Sequence, residues 1–300
     1  MRIASLLPSA TEIVYALGLG DDLVAVTFEC DQPPRARVDN AVVVGGLDTV
    51  GLTPGQVDAL VREHVAAGTD LYRLDGAALR AQNPDLVLTQ DLCHVCALPA
   101  QRITDALSAL RSEAMNAEAR VTTLDPHSLD DVLLSIVTIA AAAGVPARGQ
   151  TLVDGLRARL RAVATKVSGR ARPRVAMLEW VDPPFAAGHW VPDLVTAAGG
   201  ESVLGRRGGR SVEVSWSALT AADPDVVVVA PCGYDLDAAC EQAANVLGLV
   251  PPRVPVWAID ADGLVVGGGP RLVDGIEALA SVLHPDVVRR TSDGAVRRVR

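Results

Sequence analysis

The stretch Leu79-Arg-Ala-Gln-Asn-Pro84-Asp85-Leu-Val-Leu-Thr-Gln90 recurs 140 positions on as Leu219-Thr-Ala-Ala-Asp-Pro224-Asp225-Val-Val-Val-Val-Ala230. Each copy reads as the end of a helix, a Pro-Asp turn and a short apolar run. Proline cannot continue a helix, and an unbroken run of Val or Leu after it is the pattern of a buried parallel strand. Arg174-Val-Ala-Met-Leu-Glu179 likewise echoes Arg2-Ile-Ala-Ser-Leu-Leu7. The repeat predicts an α/β chain of two similar lobes with a ligand cleft between them, because open α/β sheets place ligands outside the carboxyl ends of their strands.

Working outward from the repeat, strands are expected at 23–27, 42–44, 121–124 and 256–259, and helices at 53–67, 75–81, 128–143, 193–198, 216–222, 236–246 and 271–283. Ser9 and Glu12 have the spacing of a capping box for the first helix. Residues 147–168 read as one amphipathic helix of about 33 Å at 1.5 Å per residue, with Leu152, Leu156, Leu160 and Val163 on one face. The expected organisation is an N-terminal lobe over 1–146, a single interlobe helix over 147–169, a C-terminal lobe over 170–286 and a tail over 287–300. The basic tail from Arg289 to Arg300 is expected to fray.

The 300 residues suit two cores, and 49% hydrophobic content can fill them. A net charge of −9 excludes a nucleic-acid partner as the default reading. No run of 18 apolar residues suggests a membrane span. The N-terminal residues carry no secretory pattern, which predicts a cytoplasmic location, or a periplasmic or extracellular one if a leader has been trimmed. Five cysteines, an odd number, do not form a disulfide framework.

Four constellations carry the chemistry. Cys93-His94-Val-Cys96 follows the first repeat strand, and a Cys-x-x-Cys can hold a metal, zinc or iron, or cycle as a dithiol. A closed zinc site needs further ligands, which Cys30, His94 or Cys232 could supply only through the fold. Cys232-Gly-Tyr234 occupies the equivalent place after the second repeat strand. Glu179-Trp180 through His189-Trp190 is the densest aromatic stretch of a chain only 3% aromatic, and flat aromatic faces suit a large planar or apolar ligand. His189 could be an axial metal ligand or a loop histidine bonded within the protein. Gly267-Gly-Gly-Pro270-Arg271 opens the last helix, where a turn can hold an anion or no ligand at all.

These residues resemble the class III substrate-binding proteins of ABC importers, the cobalamin- and siderophore-binding type. The similar stretches are Arg2 through Glu12, the two Pro-Asp strands and the interlobe helix. A subgroup labelled cobalamin-binding protein is closer still, through Glu29-Cys30-Asp31, Leu71-Tyr-Arg-Leu-Asp75, Thr89-Gln-Asp-Leu-Cys93 with Val95-Cys96-Ala97, Leu178-Glu-Trp180, Gly188-His-Trp-Val-Pro192 and Gly269-Pro-Arg-Leu-Val-Asp-Gly275. The resemblance implies two Rossmann-like lobes joined by a single long interlobe helix, with the ligand cleft between the lobes and with Pro8, Cys30, Cys93, Trp180, Trp190 and Tyr234 facing it. Importer-coupled relatives carry a permease-docking glutamate on each lobe; those positions here are Ala77 and Ser217. The aromatic loop before Gly-Pro-Arg is also altered, to Asp260-Ala-Asp-Gly-Leu-Val-Val-Gly267.

The leading expectation is therefore a non-catalytic binding protein for a cobalamin-like corrinoid or another metal chelate, with ligand residues Pro8, Cys30, Cys93, Trp180, Trp190, Tyr234 and Arg271. Its partner would be an ABC permease, against which the missing docking glutamates count. The alternative is a cytoplasmic metal-binding or thiol-redox protein using Cys93 and Cys96 with Cys30 or Cys232. No nucleophile relay or acid–base pair is legible, so no enzyme is expected.

Overall fold

The computed structural model describes residues 1–90, 119–289 and 294–300. Its chain divides into two compact units, one of residues 1–126 with 133–154 and one of residues 127–132 with 155–300.

The first unit is built on a six-stranded sheet in the order β4-β3-β2-β1-β5-β6, with β1 Ile3–Ser5, β2 Leu23–Thr27, β3 Ala41–Gly45, β4 Arg73–Leu74, β5 Leu86–Gln90 and β6 Arg120–Leu124. All its pairings are parallel except β3 with β4. Its helices are α1 Pro8–Ala16, α2 Arg35–Asp39, α3 Pro54–Ala67 and α4 Gly76–Ala81. The next helix among the described residues, α5, spans Leu129–Ala142, and the 22-residue α6 spans Pro146–Val167. Both pass from the residues of one unit to those of the other.

The second unit carries β7 Arg174–Val181, β8 Pro184–Ala186, β9 Glu201–Val203, β10 Val212–Glu213, β11 Val226–Val229, β12 Val256–Ile259 and β13 Val296–Arg298 in the order β10-β8-β7-β11-β12-β13, with β9 beside the first half of β7. Its helices are α7 Val191–Ala197, α8 Trp216–Ala221, α9 Leu236–Asn245 and α10 Leu272–Leu283, with one π-helical turn over Asp262–Val266.

The repeated stretch owes its sequence to one device used twice. Asn83 and Asp223 both have φ 43° and end the short helices α4 and α8. Asn and Asp tolerate this left-handed position better than other side-chain-bearing residues. After the proline, Asp85 accepts the main-chain N–H of Arg2 at 2.7 Å, and Asp225 accepts that of Arg174 at 2.8 Å. Each carboxylate thus satisfies the first donor of the neighbouring strand. The guanidinium groups of Arg2 and Arg174 return to helix-end carbonyls, Gln82 O and Ala222 O. The strands that follow are buried on both faces, as the unbroken Leu and Val runs require.

Thr53 caps α3 with Gln56 as its reciprocal partner and Pro54 in the first turn. The capping box expected at Ser9 and Glu12 does not form. The first helix begins at Pro8, capped by Leu7 without a side-chain bond, and Ser9 is already helical and buried. Proline at the first helical position loses no hydrogen bond and brings its φ preset, which outweighs the serine signal.

The fraying expected of the carboxyl-terminal tail is not seen in residues 294–300. Val296–Arg298 pairs antiparallel with Trp257–Ile259, and Val296 is 1% exposed. The Arg300 guanidinium donates to the carbonyls of Leu247, Pro251 and Val254 at 2.8–3.0 Å. Arg300→Ala is expected to lower the unfolding free energy by about 2 kcal/mol, the scale of hydrogen bonds to a charged group. The urea midpoint at neutral pH checks this, and an unchanged midpoint would mean that the tail contributes no stability.

Candidate ligand-binding faces

In the first unit, the carboxyl ends of β1 and β2 lead to Pro8 and to Phe28-Glu29-Cys30. Pro8 is half-buried. Tyr72 donates to Glu29 Oε1 at 3.2 Å, and its ring lies 6.2 Å from that of Phe28. Cys30 is fully buried, with Sγ 3.0 Å from Thr11 Oγ1, and burial pushes its thiol up to about 11. A cysteine so placed remains protonated at neutral pH and is a poor metal ligand or nucleophile. Cys93, His94 and Cys96 lie outside the described residues. Among the described residues no three His, Cys, Asp or Glu side chains are grouped to hold a metal ion.

In the second unit, three carboxyl-end segments meet around Trp180 and Tyr234. Trp180, near the end of β7, is half-buried, and its indole N–H donates to Asp182 O at 3.0 Å. Tyr234 follows β11 and meets the Trp180 ring edge-on, with centroids 5.7 Å apart and planes at 71°. Tyr234 O accepts the N–H of Asp262, in the π-helical turn after β12. Cys232 is exposed beside this pair in sequence, and its N–H donates to Glu179 O at 3.1 Å. Trp190 lies deeper, 7% exposed, with its indole N–H donating to Val265 O at 2.8 Å. Arg271 is half-buried at the start of α10, and its Nη1 and Asp260 Oδ2 both close over Gly263.

A carboxylate that sequence reasoning did not single out organises this face. Glu179 accepts the N–H of Gly188 at 3.3 Å and the hydroxyl of Ser211. Burial outweighs these two bonds and raises its carboxyl to about 7. Ser211 is 32 positions away in sequence, so no local pattern announces the pairing. A separate cavity of about 280 Å³ lies against α7 and β9. Its two arginines are already engaged, Arg172 with the carbonyls of Thr196 and Gly200 and Arg207 with Asp193.

The sequence pattern that defines a family described as periplasmic binding protein matches residues 73–245. An uncharacterised ABC transporter substrate-binding lipoprotein of Bacillus subtilis, YvrC, is 24% identical over 301 residues, covering 96% of this chain and 81% of that protein. A vitamin B12-binding protein of Yersinia pestis is 25% identical over 268 residues, covering 87% and 79%. Among solved structures, a periplasmic heme binding protein of Pseudomonas aeruginosa superposes with a TM-score of 0.72 at 23% identity, covering 99% of this chain and 97% of that one. The names of these proteins speak of a lipoprotein and of the periplasm, and so lend no support to the cytoplasmic location expected from the N-terminal residues. Among the described residues no helix is long and apolar enough to cross a membrane.

Proposed function

We propose that this chain, which belongs to the periplasmic binding protein family, is a non-catalytic carrier that binds a cobalamin-like corrinoid or another flat metal chelate such as haem. The observation that carries this reading is the Trp180–Tyr234 pair, an edge-on aromatic corner at the carboxyl ends of β7 and β11. Aromatic walls of this kind hold a large planar ligand by dispersion and apolar burial. The names of the Yersinia and Pseudomonas relatives support the ligand class.

Within the second unit, Trp180, Tyr234 and Arg271 are assigned to ligand contact; within the first, Pro8 is a candidate apolar contact. Trp190 and Cys30, also expected to face ligand, are buried, with the Trp190 indole bonded to Val265 O and the Cys30 thiol beside the Thr11 hydroxyl. The partner implied by the family is an ABC permease. Ala77 and Ser217 are both exposed in the first turn of equivalent helices, α4 and α8. Docking would therefore use groups other than carboxylates at these two places. The thiol-redox alternative is not favoured, since the family and the relatives named above are substrate-binding proteins.

The test is titration of the full chain with cobalamin, cobinamide and haemin, following tryptophan fluorescence. Trp180→Ala is expected to weaken whichever ligand binds by about tenfold or more, the scale of one aromatic contact. No response to any of the three at tens of micromolar would overturn the reading.

A further inference from the structure

We infer that the loop Gly205-Arg-Arg-Gly-Gly-Arg-Ser211 is an acid-recognition element, receiving the carboxylates of a ligand on Arg206 and Arg210. The loop puts three arginines within five positions of a chain whose net charge is −9.

The loop backbone is fixed at several points within the second unit. Gly209 O accepts the N–H of His189 at 2.5 Å, and Gly208 N–H donates to His189 O at 2.9 Å. The Ser211 hydroxyl donates to Glu179. Arg207 pairs with Asp193 at 2.6 Å, and this nearly buried carboxylate also accepts the N–H of Leu129 at 3.0 Å. Arg207 is thus consumed in holding the loop.

Arg206 and Arg210 are different. Both are exposed, and neither is bonded to a carboxylate or carbonyl among the described residues. The stem of Arg206 lies along Gly209, where an added Cβ would meet its Cγ and Cδ at 3.2 Å. The guanidinium is therefore supported by packing while its donors stay available. A guanidinium matches a carboxylate with two parallel hydrogen bonds, and fixing the backbone beforehand lowers the ordering cost of binding.

Backbone strain concentrates at the same place. Leu204 has φ 71° and His189 φ 49°. Asn83 and Asp223, which share a left-handed backbone, are helix terminators for which it is common. A leucine there is uncommon, and such residues persist where the surroundings over-determine them, often at ligand sites. In an acidic protein a local cationic loop is also what offsets the repulsion of an acidic ligand.

The inference rests on the chelate-binding reading only for the identity of the cargo, so the experiment separates the two. The full chain, with arginine labelled for Nε detection by NMR, is titrated with citrate. The Arg206 and Arg210 signals are expected to shift and saturate in the millimolar range, and the Arg206→Gln/Arg210→Gln variant to lose both signals with an unchanged melting curve. In parallel, haemin and its dimethyl ester are compared. Wild type is expected to prefer the diacid by about tenfold or more, the scale of one or two charge-assisted hydrogen bonds. The double variant is expected to erase that preference while leaving the ester affinity unchanged.

A citrate response with neither porphyrin bound would keep the acid-recognition loop and remove the chelate reading. Silent arginines with equal affinity for acid and ester would overturn the loop inference and leave the chelate reading standing. Silence towards all three probes would remove both.

Discussion

Replacing Glu179 by glutamine is expected to stabilise the second unit by about 3 kcal/mol at pH 8 and to change little at pH 4.5. The carboxyl is raised from 4.5 to about 7 on folding, mainly by burial, against the opposing pull of the Ser211 hydroxyl and the Gly188 N–H. The folded state then binds the proton more tightly than the unfolded one. Stability falls as pH rises from about 4.5 to about 7 and is flat above that, because the unfolded chain has already lost a proton that the folded one still holds. Two and a half pH units at 1.36 kcal/mol each set the magnitude at roughly 3 kcal/mol. Glutamine keeps a carbonyl for Gly188 and an amide donor for the Ser211 oxygen, while carrying no charge to desolvate. All four tryptophans, Trp180, Trp190, Trp216 and Trp257, lie in the second unit, so urea unfolding followed by their fluorescence reports it directly. Equal midpoints for wild type and variant at pH 8 would show that Glu179 titrates as an ordinary carboxylate.

The contrast between what was legible in the sequence and what was not follows the range of the interactions involved. The half-repeat was readable because helix end, Pro-Asp turn and strand start are set within twelve residues, and because Asp85 and Asp225 do the same task. The helix over 53–67 was readable for the same reason, from its spacing and Pro54 in its first turn, whereas its Thr53–Gln56 capping box emerged only in the structure. The tail was misjudged because its residues look basic and unstructured, while its pairing with Trp257–Ile259 depends on a strand some forty positions earlier. The carboxyl-end location of Trp180 and Tyr234 could be inferred from strand ends, but not their edge-on contact. Cysteine spacing suggested thiol chemistry, whereas the state of Cys30 is decided by Thr11 and by burial, neither of which a spacing shows. The arginine loop carried no motif at all. Its meaning comes from Glu179 on β7 and from His189 and Asp193 at the start of α7 holding it.

Gly188→Ala is expected to cost the second unit about 4 kcal/mol and to abolish carboxylate recognition by the loop. A Cβ at position 188 would lie 2.3 Å from Ser211 N, 2.5 Å from Arg210 C and 2.6 Å from Gly209 O. All three are backbone atoms, so no side-chain rotation relieves the overlap. Either the arginine loop lifts away or the β7–β8 hairpin shifts. Lifting the loop breaks the His189–Gly209 bond and takes Ser211 from Glu179. Overpacking costs about 1–3 kcal/mol, and each lost hydrogen bond adds about 1 kcal/mol. Gly233 supplies the control. It follows the exposed Cys232, has φ 79°, and an added Cβ there meets nothing within 4 Å. Alanine at 233 therefore incurs only the left-handed backbone penalty of about 1–2 kcal/mol and leaves the loop seated. Urea midpoints and the citrate response of the Arg210 signal read both effects together. If Gly188→Ala were no more destabilising than Gly233→Ala, or kept the citrate response, the close seating of the loop on Gly188 would not be what positions its arginines.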